Sequence, residues 1–313
     1  MIINISDVWD NVAADHTLYL THTIAGGLAL LDNLPRPEEQ YVQLVREFIV
    51  NNSSVLLGPK STYFGTVIND FNTKFSAPGR DRDKAIDILK RIFDYGKFTN
   101  KHEPGWNAYK LCIGARWRVC PYCHLQGTET VLPAPGIKGY RPNLDHYLAK
   151  ADFPYLALSL GNLIPACEKC NGPSMKHTQN FHLIPHLNPL CDAQCIDFKI
   201  EAKDPVLSDM PDVKAFRRSV DHYQVALVAP TNDAKSAASL QTFQLVSRYQ
   251  QYVGQAHKLA RNVSRKTWPE MMVNAVGIRV KKTDYLPFDP ASSPYQNEVA
   301  GKLYLDIYKQ ACT

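Results

Sequence analysis

Two C-x-x-C pairs constrain this chain more than any other feature. Cys120 and Cys123 stand in "CPYC", Cys167 and Cys170 stand in "CEKC", and 43 residues separate the pairs. A C-x-x-C turn lets two thiolates face one ion, and two such turns complete a tetrahedral zinc shell. Four thiolate ligands leave no open position for water. The role of such a zinc is structural: it ties together segments too short to bury a core of their own. The other readings are a redox dithiol, which needs an exposed thiol of low pKa, and buried thiols that never meet. Between about residues 120 and 190, Gly, Pro, Cys and His are dense and helical periodicity is short. The pattern predicts two strands, in "GYRPNLDHYLAK" and "ALSLGNLIPAC", and a short helix opening at "CEKCNGPSMKH".

The flanks read differently. Residues 1–103 look mainly helical. "RPEEQYVQLVREFIVNN" (36–52) sets Tyr41, Leu44, Val45 and Phe48 on one face, with Pro37 near its start. "DRDKAIDILKRIFDYGK" (81–97) repeats the logic with Ile86, Leu89, Ile92 and Phe93, with Asp81 as cap and Gly96 as stop. Residues 104–119 predict a helix or turn leading into the first cysteine pair. After residue 190, "CIDFKIEA" and "YQVALVAP" predict short strands, and 232–263 predicts a long helical stretch with breaks. "WPEMMVNAVGI" and the last residues from Tyr295 predict further helix. The expected organisation is a helical region 1–103, a small module 104–190 and a mixed, mostly helical region 191–313.

Composition narrows the class. The 313 residues are 45% hydrophobic, enough for a substantial core, and 21% charged with no low-complexity tract, which excludes a mainly disordered chain. A net charge of +5 permits nucleic-acid binding without demanding it. No stretch reaches the roughly 18–20 apolar residues of a membrane span. The first residues lack a basic segment followed by an apolar run, so no signal peptide is expected. The eight cysteines are accordingly expected in a reducing cytoplasm, where C-x-x-C pairs mean metal or catalysis.

Between the pairs lie Asp145 and His146, then Asn162; Asn171 directly follows the second pair. A carboxylate suits a hard divalent ion, and a histidine near neutrality suits a general base. An amide oxygen orients an imidazole or ligates a metal. Neighbours on a strand point to opposite faces, but near a strand end both can reach one site. Taken singly, each of these residues is more often structural. Their order is what matters: Cys120, Cys123, Asp145, His146, Asn162, Cys167, Cys170, Asn171. This series resembles the HNH endonucleases, the ββα-metal nucleases, in their zinc-stapled subgroup, over about residues 105–190.

The resemblance implies an α+β fold: a mainly helical chain around a small zinc-stapled ββα-metal module. It also implies roles. His146 activates water as general base, and Asn162 holds the base loop. Asp145 and Asn171 ligate one catalytic Mg²⁺ or Mn²⁺, with His177 as the alternative to Asn171. Asn171 replaces the family's usual last histidine, and an oxygen ligand favours a hard ion. The substrate is DNA, cut to 5′-phosphate and 3′-hydroxyl ends. Lys150 and Lys176 flank the motif and are the expected phosphate contacts. "FHLIPHLNPL" (181–190), with Pro185 and His186, and "TFQLVSRYQQY" (242–252) loosely resemble segments of HNH subunits in bacterial Septu-type phage-defence systems. That implies a partner ATPase, with a homo-oligomer as the simpler alternative. For any single residue of these segments, ordinary packing around Phe243, Leu245 and Tyr249 is the commoner role. Weaker candidates are Cys191 with Cys195, the run Lys258, Arg261, Arg265 and Lys266, and "RVKKTD" (279–284). The alternative function is a zinc ribbon that binds nucleic acid or protein and cuts nothing.

Overall fold

The computed structural model describes residues 3–264 and 282–313. Six helices come first: α1 (Ala13–Asp32), α2 (Gln40–Leu57), α3 (Phe64–Lys74), α4 (Arg80–Ile92), α5 (Tyr95–Thr99) and α6 (Ala108–Ile113). The apolar stripe of α2, with Val42, Val45, Phe48, Ile49 and Leu56, is buried against α1, α3 and α4. Helices α1 and α4 meet at Gly27, where an added Cβ would stand 2.5 Å from the Ile92 side chain. The sequence placed a cap at Asp81 and a stop at Gly96. Instead α4 starts after Gly79, whose φ of +157° suits only glycine, and Gly96 lies inside α5.

The central module follows. Strands β1 (Asn143–His146) and β2 (Leu163–Ala166) pair antiparallel, with Asn143 opposite Ala166 and His146 opposite Leu163. The short helix α7 (Glu168–Asn171) comes next, its first turn capped by the Cys167 side chain. Strand, strand and helix therefore appear in the order read from the sequence.

The rest builds a second ribbon. Strands β3 (Asp197–Ala202) and β4 (Tyr223–Val228) pair antiparallel, and α8 (Pro211–Lys214) lies in the link between them. Then come α9 (Ala234–Thr242), α10 (Leu245–Tyr249), α11 (Val253–Ser264) and α12 (Gly301–Cys312). The expected stretch 232–263 is broken at Gln244, which takes a left-handed φ of 49°. Helix α12 covers the free edge of β3. Asp306 accepts from Phe198 N–H (3.0 Å), and Gln310 exchanges two hydrogen bonds with the Ile200 backbone. An open strand edge is thereby closed by side chains. Buried Lys302 fastens this arrangement through Asp197 (2.9 Å) and Asp306 (2.6 Å).

Among the described residues the chain is α+β and mainly helical, with two two-stranded sheets. One cluster of buried apolar side chains runs through all three expected regions. None of the described helices is long and apolar enough to cross a membrane. "WPEMMVNAVGI", Arg265, Lys266 and the first three residues of "RVKKTD" lie outside the described residues.

The helical region grips the long connection between β1 and β2. Trp9 Nε1 donates to Leu163 O (2.9 Å), and His16 Nε2 pairs with Leu158 O (2.7 Å). Trp106 Nε1 donates to the other nitrogen of His16 (3.0 Å). Phe48, Phe71 and Tyr155 form a ring cluster with centroids 4.9–5.5 Å apart. Gly161 lets this connection touch the Lys60–Ser61 backbone, where a Cβ would sit at 2.6 Å. The region 1–103 is thus the mould against which the site's loop is set.

Candidate functional site

Cys120, Cys123, Cys167 and Cys170 are all buried, and their sulfurs lie within 4.8 Å of one another. None is in a disulfide. Cys123 Sγ and Cys167 Sγ are 3.9 Å apart. A tetrahedral shell with Zn–S bonds of about 2.3 Å has an S···S edge of about 3.8 Å. The thiol quartet therefore has the dimensions and chemistry of a four-thiolate metal site. Leu125 N–H donates to Cys123 Sγ (3.4 Å) and Cys170 N–H to Cys167 Sγ (3.4 Å), bonds that favour sulfur in its charged form. Cys123 is pushed well below the usual thiol range by hydrogen bonds from Cys120, Cys167 and Cys170, helped by the charge of Arg248. Arg248 Nη1 itself reaches Cys170 Sγ at 3.4 Å.

Asn162 locks the connection that leaves β1. Its Oδ1 accepts from Leu148 N–H (2.7 Å), while Nδ2 donates to Leu148 O (3.0 Å) and Leu156 O (3.1 Å). The side chain is fully buried, so its hydrogen bonds replace a ladder that the loop cannot make for itself. Ala157 lies on that same connection, and its carbonyl is 2.9 Å from His146 Nε2. A carbonyl only accepts, so Nε2 carries the proton and Nδ1 holds the lone pair. Burial drives the His146 pKa down to about 4 against a smaller opposing pull from Ala157 O. His146 is therefore neutral at pH 7, 8% exposed, and edge-on to the Tyr95 ring at 4.5 Å.

Asp145 and His146 diverge as strand neighbours do, yet both line one cavity of about 640 Å³. Asp145 is 4% exposed, and its Oδ2 accepts from Tyr122 O–H at 2.5 Å. Lys176 Nζ lies 2.7 Å from both Oδ1 and Oδ2 and 2.5 Å from His146 O. The sequence offered Lys176, flanking the motif, as a phosphate contact. The residue is instead 3% exposed, and its ammonium is spent on Asp145 and the β1 backbone. Lys150 and Asn171 do line the cavity, as does His177. The Lys150 ammonium sits 4.3 Å from the Tyr95 ring centre, and partial burial lowers its pKa. Asn171 is half-buried, and its side-chain amide makes no hydrogen bond to another described residue.

Three residues of this site were missed. Arg141 lines the cavity with Asp145, and its buried Nε has no hydrogen-bond partner among the described residues. Tyr122, inside the first C-x-x-C, holds Asp145 and stacks on Phe243 at 4.4 Å. Arg248 faces the thiols. Tyr122 inside the first C-x-x-C and Arg141 four residues before Asp145 were in view, but nothing local gave the partners of their side chains or tied Arg248 to the motif. Other candidates do not converge on the site. Cys191 and Cys195 join no metal-binding cluster among the described residues; Cys195 Sγ meets Ser236 Oγ. His186 stacks on Phe181 at 3.8 Å and bonds Thr242, while Tyr249 O–H donates to Cys123 O (2.7 Å). Both segments of the 181–190 and 242–252 resemblance thus serve packing around the module. Lys258 is exposed on α11 with Arg261 half-buried, away from the cavity wall. Compared with family models, curated proteins and solved structures, the chain matches none.

Proposed function

We propose that residues 104–190 form an HNH-type ββα-metal nuclease module and that the protein hydrolyses DNA phosphodiester bonds. The observation that carries this reading is His146: hydrogen-bonded at Nε2 to Ala157 O, lowered by burial to a pKa of about 4 and so neutral, and among the residues that line the cavity, which leaves the lone pair on Nδ1. A general base needs such a lone pair. Water activated at Nδ1 attacks phosphorus and its proton passes to the imidazole, while the bond from phosphorus to the 3′-oxygen breaks and that oxygen leaves, taking a proton from solvent to become the 3′-hydroxyl. Asn162 keeps Ala157 in place and so fixes the ring. Zinc on Cys120, Cys123, Cys167 and Cys170 staples β2 and α7 to the first C-x-x-C turn.

Asp145 and Asn171 supply two oxygen donors to the cavity lining, and the Asn171 amide has no hydrogen-bond partner among the described residues. Oδ1 of Asp145 keeps one acceptor position beyond its bond to Lys176. The pair fits one hard cation, Mg²⁺ or Mn²⁺. When bound, such an ion supplies charge stabilisation at the phosphate. Arg141, Lys150 and Lys176 outnumber Asp145 and Asp152 around the cavity, which favours a polyanion. Lys150 and Arg141 are the phosphate contacts in this account.

We also read the protein as part of bacterial anti-phage defence, acting with a partner ATPase or as a homo-oligomer. The extent of helical structure beyond the module supports a regulatory or docking role for the flanks.

Supercoiled plasmid tests the proposal. With Mg²⁺ or Mn²⁺ the protein should nick or linearise it, EDTA should stop the reaction, and the ends should be ligatable 5′-phosphates. One observation favours the alternative, a non-catalytic zinc-stapled binding module: Lys176 already occupies Asp145. Plasmid retarded in a gel but left intact across metals would establish that reading.

A further inference from the structure

The carboxylate assigned above to a divalent ion already holds a cation. Lys176 Nζ touches Asp145 Oδ1 and Oδ2, each at 2.7 Å, and His146 O at 2.5 Å. All three N–H donors of the ammonium are thereby used. The Phe181 ring lies 4.6 Å from Nζ, and Lys176 N–H donates to Cys170 O at 3.1 Å. The lysine is therefore anchored at both ends, by its backbone to the cysteine turn and by its head to β1.

We propose that Lys176 is a built-in competitor for Asp145, holding the carboxylate until a divalent ion displaces or crowds it, and so setting the ion concentration at which the site loads. This rests on the nuclease reading of Asp145 as a metal ligand. An ion bound to Oδ1 at about 2.1–2.5 Å would stand within roughly 5 Å of Nζ. Like charges that close, with water excluded, repel strongly. Loading therefore requires the ammonium to give up contact with Asp145. Tyr122 O–H holds Oδ2 on the other side, so the carboxylate stays aimed while its partner changes. Without the ammonium, Asp145 would be a buried charge with Tyr122 as its remaining partner. A divalent ion would then bind more tightly and restore more stability than it does in the native chain.

The test uses the full-length, zinc-loaded protein without DNA and Ca²⁺ as the probe ion. Ca²⁺ affinity is measured by calorimetry, and the Ca²⁺-induced change in melting temperature by calorimetric scanning. Lys176→Met is the main variant; Lys176→Gln keeps an amide donor for Asp145 and serves if the first folds poorly. Both should bind Ca²⁺ on the order of tenfold more tightly than the native chain and gain more in melting temperature. Asp145→Asn should abolish binding in every background. Equal or weaker binding in both lysine variants, with Asp145→Asn still abolishing it, overturns the competition and leaves Asp145 a ligand. Ca²⁺ binding untouched by Asp145→Asn, or absent from every variant, removes Asp145 as a ligand and the proposal with it.

Discussion

Replacing Asn162 with alanine tests how the site is held. The native side chain is fully buried and makes three hydrogen bonds, to Leu148 N–H (2.7 Å), Leu148 O (3.0 Å) and Leu156 O (3.1 Å). Alanine strands the Leu148 N–H outright. A buried donor left unsatisfied costs about 1–3 kcal/mol, and each orphaned carbonyl costs less because it has a second lone pair. The expected loss is about 3–5 kcal/mol. Asn162→Asp keeps the acceptor but aims a carboxylate oxygen at two carbonyls, so it should cost no less. Equilibrium urea unfolding of the zinc-loaded protein gives the loss from the shift in midpoint at constant slope. Because Ala157 lies on the same connection, loosening it should also admit water to His146. Its pKa should then move from about 4 back towards 6.5, as read from the imidazole resonances. A loss below about 1 kcal/mol for Asn162→Ala, or an Asn162→Asp chain as stable as the native one, would refute the claim that this side chain sets the loop.

Protein purified without added zinc should carry about one equivalent of it, since four thiolates complete one tetrahedral shell; metal analysis showing none, or a disulfide among the four, contradicts the zinc assignment. Cys170→Ser, or strong chelation, should unfold the β1–β2–α7 module, visible as lost protection of the Leu148 and Leu163 amides. Acid should destabilise the fold between pH 6.5 and 4. Burial lowers His16 and His146 to about 4, so the unfolded chain binds protons there that the native chain does not. Stability is full above pH 6.5 and falls as pH drops, by up to about 3 kcal/mol for each histidine; His146→Phe should flatten part of that slope. The same burial places the acid limb of cleavage well below 6.5, and a limb at 6.5 would mean a solvated His146.

What could be read from the sequence was local. The thiol quartet and the Asp145–His146 step announce themselves by spacing, and the short strands around them by dense Gly and Pro and the loss of helical periodicity. The period-3.6 faces of α2 and α4 were equally plain, whereas the limits of α4 were not. Its start depends on the backbone shape of Gly79, where an aspartate two residues on seemed the better cap. The role of Asn162 was legible only through family resemblance, because nothing in "SLGNLIP" says which loop an amide will clamp. The Lys176–Asp145 pair was invisible. Thirty-one residues separate the partners, and a lysine beside a nuclease motif reads as a surface phosphate contact until burial shows otherwise. The same holds for Tyr122, Arg141 and Arg248, whose partners come from packing between segments. Nor did any pattern say that Trp9 and His16 would grip the β1–β2 connection and the start of β2 across 142 to 154 residues of chain, or that Trp106 would hold the His16 ring.

The most direct measurement of the central claim is single-turnover cleavage of a DNA duplex by native protein and His146→Ala, with Mn²⁺ present and protein in excess. DNA affinity is read on the same samples by anisotropy. The general-base account expects the rate to fall on the order of 10²–10⁴-fold while affinity and melting temperature hold. A variant that cleaves at the native rate would remove His146 from the chemistry and with it the reading of this cavity as a nuclease site.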